Sequence, residues 1–238
     1  MTAERPGGPG GTEGDLAGIA ALADPVRRAL HRYVGGRCDW VTREEAAAAT
    51  GLAHHVVKLN LDRLAVAGLL ESGYQRPPGR SGPGAGRPAK VYRRADREFA
   101  VSVPARRYEL AAGILANGVR RSIEDGTPVA EAVRDTATDA GRALGRAAAD
   151  RASTGTPVAA AIREVLDGQG FATRAEGSVL HFGNCPFAGL LHDCKRLICT
   201  MNGSLVRGLL AASGATALTA QLAPPPPGDC CVTVHGVG

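Results

Sequence analysis

The sequence predicts an α+β protein in three parts: short helices closed by a β-hairpin, a purely helical middle, and a small α+β end. Three observations predict it. Apolar residues recur at helical spacing through most of the chain up to Gly168, punctuated by capping and turn signals. Beyond Gly170 the apolar period shifts toward two, the alternation of half-buried strands. Five of the six cysteines lie at or after Cys185, so the last part is set apart chemically as well. With 238 residues and 44% hydrophobic content, the chain can build two ordinary cores.

Residues 1–14 are rich in Gly, Pro, Thr and Glu, lack the apolar stretch of a secretory signal, and read as a disordered tail. From Asp15 to Tyr33 apolar residues follow a helical period, with a fresh helix start at Asp24-Pro25 and an end at Gly35-Gly36. Thr42-Arg43-Glu44-Glu45 has the form of a capping box and opens a short Ala-rich helix to Thr50. Gly51 turns the chain, and a further helix runs from about Ala53 to Ala67. Its core face is Val57, Leu61 and Leu64, with His54, His55, Lys58 and Asp62 off that face. Two short helices joined by a tight turn make a helix-turn-helix, the later helix placed to enter a major groove.

Strand character at 69–72 and 90–93 brackets a Gly/Pro/Arg-rich loop from Gln75 to Ala89, a hairpin with a long basic tip. From Tyr74 to Arg94 the chain has Arg76, Arg80, Arg87, Lys90, Arg93 and Arg94 and no acid, so the basic surplus is local, the footprint of a polyanion contact. Arg80, Arg87 and Lys90 are the candidates for phosphate or minor-groove contact, and His54, His55 and Lys58 for the major groove. Aromatic residues are only 4% of the chain, which argues against stacking on single strands as its main mode. The stretches Leu22–Arg27, Leu61–Leu70 and Gly84–Tyr92 together resemble the winged-helix domain of ArsR-type transcriptional regulators. The resemblance implies a winged helix-turn-helix domain over residues 15–107, double-stranded operator DNA as partner and, because one winged helix covers a half-site, a homodimer.

Residues 108–168 read as a helical linker or dimerisation segment. Leu110, Ile114, Leu115, Val119 and Ile123 line one helix; Val129–Asp150 and Val158–Leu166 form two more, with Thr127-Pro128 and Thr156-Pro157 as start signals. The Ala/Arg-rich middle helix suits a close helix–helix contact, within one chain or across a dimer. In residues 169–238 a hairpin is expected over 171–182, a helix over Met201–Ala212, and strands over 215–222 and 230–235. No apolar run approaches a membrane span, and the expectation is a cytoplasmic protein with no membrane partner.

A secreted disulfide scaffold spreads its cysteines, whereas clustering of this kind in a cytosolic protein points to a metal or redox site. Eight residues separate Cys185 from Cys194, four separate Cys194 from Cys199, and thirty precede Cys230. Thiolate sulfur suits zinc and iron–sulfur clusters when several sulfurs converge. In an unbroken helix Cys194 and Cys199 point roughly 140° apart, so they meet only if the chain breaks between them. Such a break places Cys199 at a helix N-terminus, where the dipole favours a thiolate. Strand parity with Val232 and Val234 favours Cys230 over Cys231. Cys38, alone beside Asp39 and Trp40, reads as structural, and His181, His192 and His235 as solvated or packed.

Asn184-Cys185-Pro186-Phe187, then Ile198–Asn202, then Cys230-Cys231-Val232 resemble the C-terminal sensor domain of SufR-like regulators. The resemblance implies a repressor with an iron–sulfur cluster, of the 4Fe-4S type, on Cys185, Cys199 and one of Cys230 and Cys231. Cys194 stands where relatives place a His, and becomes the fourth candidate ligand beside Cys185, Cys199 and Cys230. Zinc, or a thiol switch on the same cysteines, is the alternative. An enzyme is not expected: there is no P-loop, no G-x-S-x-G, no H-E-x-x-H and no paired acid constellation near the cysteines.

Overall fold

The computed structural model describes residues 12–76, 88–222, 224 and 229–236. The architecture is α+β, with eight α-helices and two small antiparallel sheets among the described residues. The chain divides into two compact units, Met1–Val101 and Ser102–Gly238. No helix among the described residues is long and apolar enough to cross a membrane.

The N-terminal unit contains α1 (Thr12–Ala21), α2 (Pro25–Gly35), β1 (Val41–Thr42), α3 (Arg43–Thr50), α4 (His54–Val66), β2 (Leu70–Gln75) and β3 (Ala89–Arg94). Asp24 caps α2, accepting a hydrogen bond from the Arg27 amide at 2.9 Å, and Pro25 supplies a first-turn residue that needs no donor. Thr42 and Glu45 form both halves of the capping box on α3. Gly51 takes φ 68°, a left-handed conformation that costs glycine nothing, and turns the chain into α4. β2 and β3 pair from Leu70↔Arg94 to Gln75↔Ala89, and β1 adds to the other edge of β3 through Val41↔Tyr92. This third strand is not apparent from two residues of sequence; it forms because β3 offers it an edge. Leu30, Val34, Val57, Leu61, Leu64, Leu70 and Tyr92 make the core, so α4 buries the face its spacing predicts.

The C-terminal unit contains α5 (Tyr108–Asp125), α6 (Val129–Ser153), α7 (Val158–Gly168), β4 (Thr173–Glu176), β5 (Val179–Phe182), α8 (Leu191–Ala212), β6 (Thr219–Leu222) and β7 (Val232–His235). One apolar cluster runs from Ile114 on α5 through α6, α7 and α8 to Val234 on β7, so residues 108–168 and 169–238 contribute to the same core. The sheet order is β4-β5-β7-β6. The close contact of α6 is with α8 of its own chain. A Cβ at Gly141 or Gly145 would overlap the carbonyl oxygens of Leu205 or Leu209, and one at Gly208 that of Thr138. On α5 the apolar stripe is only partly buried. Ile114 is in the core, but Val119 and Ile123 are 45% and 80% exposed, because Gly118 makes the close approach to Val133 instead.

Candidate functional site

In the C-terminal unit the sheet sets up the cysteine site. β5 and β7 pair through Leu180↔Val234, and the Cys230 amide extends the ladder by donating to the Phe182 carbonyl at 2.9 Å. Cys185 lies three residues beyond Phe182, so this register carries Cys230 to the loop that holds it. That loop is pinned. Asn184 donates to the carbonyls of Ala105 at 3.0 Å and Gly170 at 2.5 Å, while Arg106 donates to the Asn184 side-chain oxygen at 2.5 Å. Helix α8 brings Cys199, with Asn202 one turn further along the same face.

Cys185, Cys230 and Cys231 are buried, and Cys199 is half-buried. The four lie near one another. The neighbouring Cys230 holds Cys185 below the ordinary thiol value, against burial that pushes it up. The nearness of Cys185 and Cys231, with burial, pushes Cys230 well above it. Cys231 is lowered by its neighbour Cys230 against burial, whereas burial, reinforced by nearby Cys231, raises Cys199. Lys195 contributes positive charge to Cys199 and Cys231, and Arg106 to Cys185.

The geometry departs from two expectations about the cysteines. Cys194 is exposed and stands apart from the other four, in a surface groove with Arg134, Lys195 and Arg196. The chain does break there, since Cys194 itself has non-helical angles (φ −122°, ψ 25°), but the helix then continues through Cys199 without interruption. Cys199 is therefore more than a turn inside the helix rather than at its N-terminus, and the helix dipole has faded there. Cys231 takes the place expected of Cys194. Parity does not separate Cys230 from Cys231, because strand β7 begins only at Val232. Cys38 is exposed. His192 is exposed beside Asp193, His181 lies 3.9 Å from Glu176, and His235 bonds Thr233.

Four sulfurs from three separate stretches of chain form a donor set that suits a soft metal or an iron–sulfur group. Among the described residues no set of three or more His, Cys, Asp or Glu side chains is already arranged around a metal position. Sequence reasoning did not single out Asn202, which is fully buried and donates to the Cys230 sulfur at 3.2 Å. The signal available was a carboxamide on the apolar face that Ile198, Met201 and Leu205 define.

In the N-terminal unit His54, His55 and Lys58 are exposed along the first turns of α4. His54 lies 3.2 Å from Glu44, and Ala53 offers no capping side chain to α4. Arg80 and Arg87 lie outside the described residues. Lys90 is half-buried and bonded to Asp62 at 2.6 Å, in a network where Asp62 also accepts from Tyr92 at 2.7 Å and Arg43 at 2.9 Å. Burial opposes charge on Asp62, but the bonds from Lys90 and Tyr92 and the Arg43 charge hold its pKa below the ordinary carboxyl value. Arg93 is bonded to Glu71 and stacked 4.6 Å over Trp40, which leaves Arg76 and Arg94 as exposed cations flanking the described part of the hairpin. The chain matches no family model, no curated protein and no solved structure.

Proposed function

We propose that this chain is a homodimeric, DNA-binding transcriptional regulator, a repressor, whose affinity for its operator is set by an iron–sulfur group in the C-terminal unit. The observation that carries the reading is the nearness of Cys185, Cys199, Cys230 and Cys231, three buried and one half-buried, brought together from three separate stretches. These four cysteines would hold the group, and a cluster bound there supplies sensitivity to oxidants and to iron supply. The N-terminal unit supports the DNA half of the reading. Helix α4 presents His54, His55 and Lys58 after a tight turn, and the β2–β3 hairpin beside it forms the wing of a winged helix-turn-helix.

A second reading is a thiol or zinc switch on the same four cysteines. The nearness of the thiols to one another favours it, since neighbouring thiols can form disulfides or close around zinc. Visible absorption of anaerobically purified protein separates the readings: a broad band near ~400 nm for iron–sulfur, a colourless metal-bound protein for zinc, a colourless metal-free one for a thiol site. The function itself is tested on an operator selected from a random duplex library. Holo and apo protein are expected to differ in affinity by about tenfold or more, roughly 1.4 kcal/mol of coupling. Equal affinity of the two forms would leave the cysteine site without a regulatory role.

A further inference from the structure

Among the described residues, Asn202 is the one polar side chain of the cysteine site that is wholly buried and incompletely bonded. Its exposure is 0%, its Nδ2 donates to the Cys230 sulfur at 3.2 Å, and its Oδ1 has no partner among the described residues. A neutral thiol is a weak acceptor. A buried carboxamide whose one partner among the described residues is a thiol, and whose oxygen is orphaned, is destabilising relative to an apolar side chain of the same shape. Nothing in the packing of α8 calls for it. Its neighbours Ile198, Met201 and Leu205 are apolar and buried, and a leucine would continue their face.

The arrangement becomes favourable when the sulfur carries negative charge. A thiolate bound to a metal accepts a charge-assisted N–H···S bond, stronger than the neutral one and impossible for leucine. We propose that Asn202 is a positioning residue for the bound metal group, donating its amide to the coordinated sulfur of Cys230 and so setting how firmly the group is held. This rests on the reading of the four cysteines as a metal-binding set. Donors of this kind commonly account for about 10–100-fold in metal affinity.

The test uses the full chain and cobalt(II) alone as the probe, read by its thiolate charge-transfer absorption in anaerobic titrations. Asn202→Leu keeps the branched shape, with somewhat larger volume, and removes the donor; Asn202→Ala removes it without any risk of overpacking. Both variants are expected to bind cobalt at least ~10-fold more weakly than wild type. Metal-free Asn202→Leu is expected to melt no lower than metal-free wild type, because an orphaned amide has been replaced by an apolar group. A merely structural asparagine predicts the opposite, a lower melting point with unchanged cobalt affinity, and that result overturns the proposal. Should Asn202→Leu fail to fold, equal cobalt affinity of wild type and Asn202→Ala overturns it alike. Wild type that gives no thiolate–cobalt band overturns the metal-binding reading itself, and with it the role assigned here. The two failures are therefore distinct.

Discussion

Asp62 accepts hydrogen bonds from three side chains at once, Arg43, Lys90 and Tyr92, and so ties α3, α4 and β3 together. The carboxylate is about one-third exposed, which limits what the ion pairs contribute. Asp62→Asn is expected to lower stability by about 1–2 kcal/mol at pH 7, since it leaves two cations and a phenol short of their acceptor. The folded pKa lies below the ordinary 3.8, so this contribution is fully present above that value and disappears as pH falls through and below it. Urea unfolding of wild type and variant should therefore differ at pH 7, and the gap should narrow progressively once pH falls below the ordinary 3.8. A difference that persists undiminished in acid would mean that the effect comes from packing rather than charge. The same network changes the part Lys90 can take in any nucleic-acid contact, because its ammonium is already bonded within the unit.

At the scale of elements, the α6–α8 contact rests on glycine. Gly141 and Gly145 on one helix face carbonyls of the other, and Gly208 faces the Thr138 carbonyl in return, so backbone meets backbone with no side chain between. Gly208→Ala must push the helices apart, at a cost of about 1–3 kcal/mol or more, because the obstructing atom is a carbonyl that no rotamer change can move. Gly113 on α5 provides the opposite case. A Cβ there meets nothing within 4 Å, so Gly113→Ala should stabilise by roughly 0.5–1 kcal/mol through the lower entropy of the unfolded chain. Thermal melts of the two variants should move in opposite directions. Equal shifts would show that helix propensity alone, not the close approach, governs both positions. The displacement of the α5 core stripe has the same origin: the contact runs through Gly118, which leaves Val119 and Ile123 outside.

At the scale of the whole molecule, the described residues form two cores, one in each unit, and the cysteine set belongs to the C-terminal one. A metal bound by those cysteines should stabilise that unit selectively, by about 2.7 kcal/mol when free metal is a hundredfold above its Kd. In scanning calorimetry of the full chain, adding zinc should raise one transition and leave the other in place, and Cys185→Ser should remove the shift. A single transition that moves as one with zinc would mean that the two cores unfold together.

Much of the fold was legible because its signals are local. Asp24-Pro25, the Thr42–Glu45 box, Gly51 and the apolar spacing of Val57, Leu61 and Leu64 each act within a few residues of themselves, and each appears where its pattern places it. The short strand β1 was not legible, since two residues carry no period and only the edge of β3 defines it. For the candidate site, the sequence by itself determined the chemistry: clustered sulfur near the C-terminus, in a chain whose basic residues are concentrated elsewhere. Which sulfurs meet was decided by tertiary structure. The β5–β7 register carries Cys230 and Cys231 to Cys185, and the angular position of α8 turns Cys199 inward while Cys194 stays in solvent. Asn202 became visible only there as well, because burial and an unpaired oxygen are properties of packing, and no spacing along the chain encodes them.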